Sequence, residues 1–232
     1  MMNSLVLVAA GKGTRIGGSI NKLLMEMHGH PLIWYTFKNI LDSKLLDEIV
    51  IVVKDTEKSQ FQQILSEFKH AIPIKWGQGG NTRVDSVING ISQISSKSEK
   101  LLIHDGARPL VGGDAIDQIL NKLGPAHPAV IFALPCIDTM KEINDEQVKK
   151  TVDRSKLYRA QTPQGVLTDL YKKALLQIKS LENITDDSSI FEAVKIPVTI
   201  IPGRENFFKV TTTEDWNRFS NMIYPSKIPA YI

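Results

Sequence analysis

Short apolar runs alternate with amphipathic segments from the start of the chain. The run SLVLVA at 4–9 reads as a buried strand, and EIVIVV at 48–53 as a second. Between them, residues 31–41 carry apolar side chains at helical spacing, with Pro31 at a position a helix start tolerates. Residues 57–68 read as a helix, 72–76 as a short strand, and RVDSVINGISQI at 83–94 as a helix with Val84, Val87, Ile88, Ile91 and Ile94 on one stripe. A strand at 101–104, a helix at 114–123 and a strand at 129–134 (AVIFAL) continue the alternation. Strands alternating with helices give βαβ units, and continuously apolar strands are those covered on both faces. The pattern predicts an α/β protein with a single Rossmann-like, mainly parallel sheet flanked by helices. In such sheets ligands sit beyond the carboxyl ends of the strands, so chemistry is sought just after each strand.

The alternation breaks near Pro135. Residues 136–157 are polar, carry both signs of charge and show few helix signals, which suits a protruding β-arm. The pattern resumes with helices near 166–178 and 187–193, strands near 198–201 and 207–210, and a helix from Thr213. Neither side of the break looks self-sufficient, so residues 1–232 are read as one domain with an arm at about 136–157.

Bulk properties narrow the class. A chain of 232 residues suits one large α/β domain. Its net charge of +3 is spread among acids without a basic stripe, which argues against a nucleic-acid partner and suits a small anionic substrate. Residues 1–10 hold an apolar run, but Gly11, Lys12 and Arg15 follow without a cleavage-site pattern, and no stretch approaches the ~20 apolar residues of a membrane span. A cytoplasmic enzyme is expected. Cys136 is the single cysteine and reads as a small buried side chain.

The first strand runs into Ala9, Ala10, Gly11, Lys12, Gly13, Thr14, Arg15, Ile16 and Gly17. Small residues admit a ligand close to the backbone, whose N–H groups can hold phosphate oxygens. The Walker spacing is absent, and Ile16 stands where a dinucleotide fingerprint needs its third glycine. A plain strand-to-helix turn would also explain the glycines. Arg15 and Lys22 change that balance, because backbone donors, a guanidinium and an ammonium together can bind a triphosphate. The string LVLVAAGKGTRIGGSINKLL resembles the start of sugar-phosphate nucleotidyltransferases. Those enzymes add a nucleoside monophosphate to a phosphate-bearing substrate and release pyrophosphate.

Further motifs follow in order. Gly79, Gly80, Asn81, Thr82, Arg83 and Ser86 open the third predicted helix, with glycines suited to a flat base or ribose; Ser86 could cap that helix or touch a ligand. His104, Asp105, Gly106 and Arg108 follow a buried strand, where an aspartate is placed to meet Mg²⁺ or a ribose hydroxyl, and Arg108 could pair with it or serve the fold. Asp138-Thr139 opens the expected arm and Thr151-Val152-Asp153-Arg154 closes it; then come Ala160-Gln161-Thr162-Pro163, Ile184-Thr185-Asp186-Asp187 and Lys209-Val210-Thr211.

The ordered set resembles the 2-C-methyl-D-erythritol 4-phosphate cytidylyltransferase family over about residues 4–220. The resemblance implies that Ala9, Ala10, Gly11 and Gly13 with Arg15 and Lys22 hold CTP and stabilise the transition state. It implies that Gly80, Asn81, Arg83 and Ser86 line the cytidine site, with Asp105 and Gly106 beside the nucleotide and Asp105 the candidate metal ligand. Arg154 and Lys209 would position the sugar-alcohol phosphate, and Thr139, Thr162 and Thr185 would line its pocket. The family is homodimeric, so the arm would carry Thr139 and Arg154 to a partner's site. Mg²⁺ or another divalent cation is the implied cofactor. Asn81 stands where an aspartate can occur, Gly106 replaces a more usual alanine, and Arg159 stands where a smaller residue is common.

The expected nucleophile is a phosphate monoester, largely dianionic near neutrality with its second pKa at about 6, so no general base is required. His28, His30, His70, His104 and His127 form no ligand or dyad spacing, in keeping with this. The nearest alternative is a pentitol-phosphate cytidylyltransferase acting on ribitol 5-phosphate. A Rossmann oxidoreductase and a non-catalytic CTP-binding protein of the same fold are rivals of other classes.

Overall fold

The computed structural model describes residues 2–11, 21–182 and 184–224. Its centre is a seven-stranded sheet. The strands in chain order are β1 (Met2–Val8), β4 (Glu48–Val53), β5 (Ile74–Gln78), β6 (Ser98–Asp105), β7 (Ala129–Pro135), β10 (Tyr158–Leu167) and β11 (Val198–Pro202). They lie in the order β11-β7-β10-β6-β1-β4-β5. Parallel pairing joins β1 to β4 and β6, β4 to β5, and β11 to β7. Two short pairs stand apart from this sheet: β2 (Glu26–Met27) with β3 (His30–Pro31), and β8 (Met140–Asn144) with β9 (Gln147–Val152).

Period-two alternation decides which helix covers which face. Leu5 and Leu7 of β1 and Ile49, Ile51 and Val53 of β4 enter one core, covered by α1 (Leu32–Ile40), α2 (Lys58–Leu65), α4 (Gly113–Lys122) and α7 (Thr213–Ile223). Val6, Val50 and Val52 enter the other, covered by α3 (Arg83–Ile91), α5 (Thr168–Gln177) and α6 (Ser188–Ala193). Every residue of β4 is buried, as a strand covered on both faces must be. Burying each of these aliphatic side chains contributes ~1.5–3 kcal/mol, so neither face can be left bare.

Four expectations are corrected. The short strand predicted at 72–76 begins and ends two residues later. Residues 158–167, of which the last two were expected in a helix, form the long strand β10, antiparallel to both β6 and β7. The predicted strand at 207–210 is a turn: Glu205–Phe207 is 3-10 and the Val210 N–H bonds to the Ala107 carbonyl, a loop rather than a strand neighbour. Backbone partners override β-propensity there. Cys136 is half-buried, not fully enclosed.

The antiparallel strand explains the excursion. Because β10 runs back along β7, Tyr158 pairs with Pro135 and the chain returns to where it left. Residues 136–157 can therefore depart as a hairpin whose base is closed by Cys136 N–H to Leu157 C=O at 2.9 Å. The hairpin strands β8 and β9 pair only with each other among the described residues, and nearly all their side chains are exposed. No described helix is long and apolar enough to cross a membrane.

Candidate active site

A cavity of about 590 Å³ opens at the carboxyl ends of the parallel strands. Its walls come from the ends of β1 (Val8, Ala10, Gly11), β4 (Lys54) and β6 (Asp105, Gly106, Ala107), from the 3-10 turn Lys22–Leu24, from residues 80–86, and from Lys209 and Thr211. Of the residues singled out from sequence, Ala10, Gly11, Lys22, Gly80, Asn81, Arg83, Ser86, Asp105, Gly106 and Lys209 meet here. Ala9 is buried just behind the wall. Gly13 and Arg15 lie outside the described residues.

The wall at 80–86 is built by helix capping. Thr82 accepts from the Asp85 N–H and the Asp85 carboxylate accepts from the Thr82 N–H, a capping box that fixes the start of α3. Ser86 is not the cap. Its hydroxyl accepts from the Gly80 N–H at 3.0 Å and donates to the Thr82 carbonyl at 3.0 Å, which folds Gly80 onto the helix. A side chain at Gly80 would bring a Cβ within 2.2 Å of the Asp85 Cβ, so only glycine fits this approach.

Asp105 is the electrostatic centre. It is 6% exposed and meets three cations: Arg83 Nε at 3.0 Å, Lys209 Nζ at 2.9 Å and Arg108 Nε at 3.8 Å. Burial alone would raise its carboxyl, but Arg83, Lys209 and Arg108 together outweigh burial and hold it well below the usual carboxylate range. Arg83 also reaches Asp187 at 2.7 Å, and the two carboxylates hold its pKa above the usual guanidinium value against burial. Burial pushes the Asp187 carboxyl up despite that pairing. Arg108 donates to the Phe207 carbonyl at 2.6 Å, so it both pairs with Asp105 and braces the segment leading to Lys209.

Behind Asp105 lies His104, with no exposed surface. The Thr162 hydroxyl is 3.0 Å from its Nδ1 and accepts from the Asp105 N–H at 3.1 Å. Burial pushes the His104 pKa down to about 3, so the ring is neutral. Thr162 thus sits beneath Asp105, buried and outside the cavity wall. Thr139, Arg154 and Thr185 are exposed and also stand outside that wall. Arg154 lies at the foot of the hairpin and donates to the Ile137 carbonyl.

Two contributors carried no assigned role from sequence. Lys54 lines the cavity, and Asp187 holds Arg83 from behind. Lys54 follows a buried strand, where ligands sit in such sheets, but a lone lysine gives no signal of its own. Among the described residues no group of three or more His, Cys, Asp or Glu side chains is placed to hold a metal. Asp105 is the one carboxylate in the described cavity wall. Mg²⁺ commonly binds through one or two carboxylates plus substrate phosphates, and Asp105 could serve as that carboxylate once an oxygen is released by Arg83, Lys209 or Arg108.

Fold and site together define an α/β nucleotidyltransferase: a cavity at the carboxyl edge of a parallel sheet, walled by glycines and lined by cations. The comparisons narrow this. A family model described as 2-C-methyl-D-erythritol 4-phosphate cytidylyltransferase matches residues 3–223, and the chain belongs to that family. A relative of that name from Prochlorococcus marinus subsp. pastoris is 38% identical over 212 residues, covering 90% of this chain and 94% of its own. One from Nostoc punctiforme is 35% identical over 213 residues, covering 91% and 93%. The crystal structure of 4-diphosphocytidyl-2C-methyl-D-erythritol synthase from Anaerococcus prevotii superposes with a TM-score of 0.80 at 29% identity, covering 96% of this chain and 97% of that one. These matches favour the methylerythritol reading over the pentitol-phosphate one.

Proposed function

We propose that this chain transfers the CMP part of CTP to 2-C-methyl-D-erythritol 4-phosphate, forming 4-diphosphocytidyl-2-C-methyl-D-erythritol and pyrophosphate. The observation that carries the reading is the convergence of Lys22, Arg83, Lys209 and Asp105 on one cavity, in a chain of this family. A phosphate oxygen of the polyol attacks the α-phosphorus of CTP. A new P–O bond forms, the α–β bridging P–O bond breaks, and its electron pair leaves with pyrophosphate. The nucleophile is already anionic, which agrees with a site whose buried histidine is neutral and sealed from the cavity.

The obstacle is bringing one anion onto another, and cations answer it. Lys22, and by resemblance Arg15, would offset charge on the α-phosphorus and the leaving group. Lys209 and Arg154 would anchor the polyol phosphate, with Thr139 and Thr185 around the polyol. Ala10, Gly11, Gly80, Asn81, Arg83, Ser86 and Gly106 would enclose the nucleotide. Mg²⁺ or another divalent cation, held mainly by the CTP phosphates with Asp105 as its protein ligand, would neutralise charge on the triphosphate. Thr162 would act on the polyol side through Asp105, whose N–H it receives.

The hairpin supports assembly. Ile137, Ile143, Val148 and Tyr158 are apolar and half or more exposed on and beside it, a surface that a second copy would cover. In such a homodimer Thr139 and Arg154 would serve the partner's cavity. The reading has the protein working in the cytoplasm, with no nucleic-acid or membrane partner. The test is pyrophosphate release from CTP with Mg²⁺, with methylerythritol phosphate and ribitol 5-phosphate offered in parallel. Turnover with the former alone is expected; turnover with ribitol 5-phosphate alone would overturn the substrate.

A further inference from the structure

We infer that Asn21 is a positioning residue that aims Lys22 by tying its backbone to the end of β1 and to Glu57. The inference rests on the nucleotidyl-transfer reading of the cavity. Asn21 is 2% exposed. Its Nδ2 donates to the Ala9 carbonyl at 3.0 Å and to Glu57 Oε2 at 2.8 Å, and its Oδ1 accepts from the Leu23 N–H at 3.1 Å. Both amide hydrogens and one lone pair are therefore in use.

Each anchor is itself fixed. The Ala9 N–H bonds to the Val52 carbonyl at 2.8 Å, in the middle of the sheet. The second oxygen of Glu57 takes the Lys54 ammonium at 3.0 Å, and Lys54 lines the cavity. The peptide that precedes Lys22 is thus held to the central strand on one side and to the connection after β4 on the other. A lysine has four rotatable bonds, so where its ammonium lands depends on how firmly its Cα is placed. Displacements of about 1 Å at a reacting centre can cost about a hundredfold in rate.

A plain turn cap does not account for this arrangement. Capping the turn Lys22–Leu24 needs only the oxygen of residue 21, which a serine or an aspartate would supply. The two Nδ2 bonds are superfluous to a cap. They reach outward, to the strand end from which the first connection leaves and to the carboxylate beside a cavity lysine.

The test compares N21S and N21D with the wild type in the pyrophosphate-release assay, with kcat and both KM values measured on folded protein. Both variants keep an acceptor for Leu23; N21S lacks the outward donors and N21D turns an oxygen toward Glu57. We expect kcat/KM for CTP to fall about tenfold or more, while KM for the polyol phosphate stays within about twofold. Adding E57Q to N21D supplies an amide donor from the other side and is expected to restore part of the loss. A folded N21S with wild-type kcat/KM for CTP overturns the inference, as does a fall in kcat that matches loss of folded protein with both KM values unchanged. If the wild type turns over no CTP, the functional reading fails first. Calorimetric binding of each nucleoside triphosphate then decides: equal affinity in wild type and N21S, or binding by neither, overturns the inference as well.

Discussion

The Lys22 ammonium donates to the Val210 carbonyl at 2.6 Å, so the lysine of the first connection braces the segment that carries Lys209. The Val210 N–H is taken by Ala107, and Lys209 itself turns to Asp105. Lys22→Ala removes a cation from the cavity and a strut from its far wall. We expect kcat to fall about a hundredfold, by analogy with removal of one oxyanion donor. The lost strut should also raise KM for the polyol phosphate. Steady-state kinetics with each substrate varied in turn separates the two effects, and near-normal turnover would refute the role given to Lys22.

Asp105 holds together cations that would otherwise repel. In Asp105→Asn, Arg83, Arg108 and Lys209 share a neutral amide in a buried setting. Breaking a buried ion pair on one side costs ~3–5 kcal/mol, and a loss of this order is expected in urea unfolding together with loss of turnover. An unchanged urea midpoint would show that these contacts are worth little to the fold.

His104 predicts how stability responds to acid. Its folded-state pKa of about 3 lies below the ordinary value of 6.5, so the unfolded chain takes up the proton first. Its contribution is complete above pH 6.5 and is lost as the pH falls toward 3. Asp105, also depressed, loses its contribution only below about pH 4, the ordinary carboxylate range, and Asp187, raised by burial, works the other way. Between these limits His104 should add a slope of ~1.4 kcal/mol per pH unit, one proton's worth. Urea titrations of the wild type and His104→Asn across that window check it. Equal slopes in the two proteins would mean that the ring titrates normally.

If the hairpin carries Arg154 into a partner's cavity, two inactive variants should rescue each other. Lys22→Ala damages a cavity from within, and Arg154→Ala damages the neighbour's. After mixing and reassortment, a mixed dimer places both lesions on one site and leaves the other whole. Random pairing in a two-fold dimer then gives about a quarter of wild-type activity. Activity no higher than the sum of the separate variants would place Arg154 in its own chain's site.

Much of the architecture was legible in the chain. The strands at 48–53 and 129–134 and the stripe Val84, Val87, Ile91 announce themselves because burial on one or both faces imposes a period that survives in sequence. β10 did not announce itself. Its first three residues, Tyr158, Arg159 and Ala160, are exposed, and its direction follows from lying between β6 and β7, which local pattern cannot express. The false strand at 207–210 shows the converse: Phe207, Phe208 and Val210 have strand-like composition, but the backbone groups of Phe207 and Val210 are taken by Arg204, Arg108 and Ala107.

The site divides along the same line. Gly11, Lys22, Gly80, Asp105 and Lys209 could be named from the residues and the family they resemble, because each follows a strand or belongs to a short ordered motif. What the sequence determined is which cations and glycines stand at the strand ends, since alternation and loop composition are local properties. What only the tertiary structure decided is which of them meet. Asp187 behind Arg83, Thr162 beneath Asp105, and Asn21 joining Ala9 to Glu57 are contacts between distant segments. They arise because the sheet stacks strand ends side by side, and side-chain hydrogen bonds act over about 3 Å of space whatever the separation along the chain.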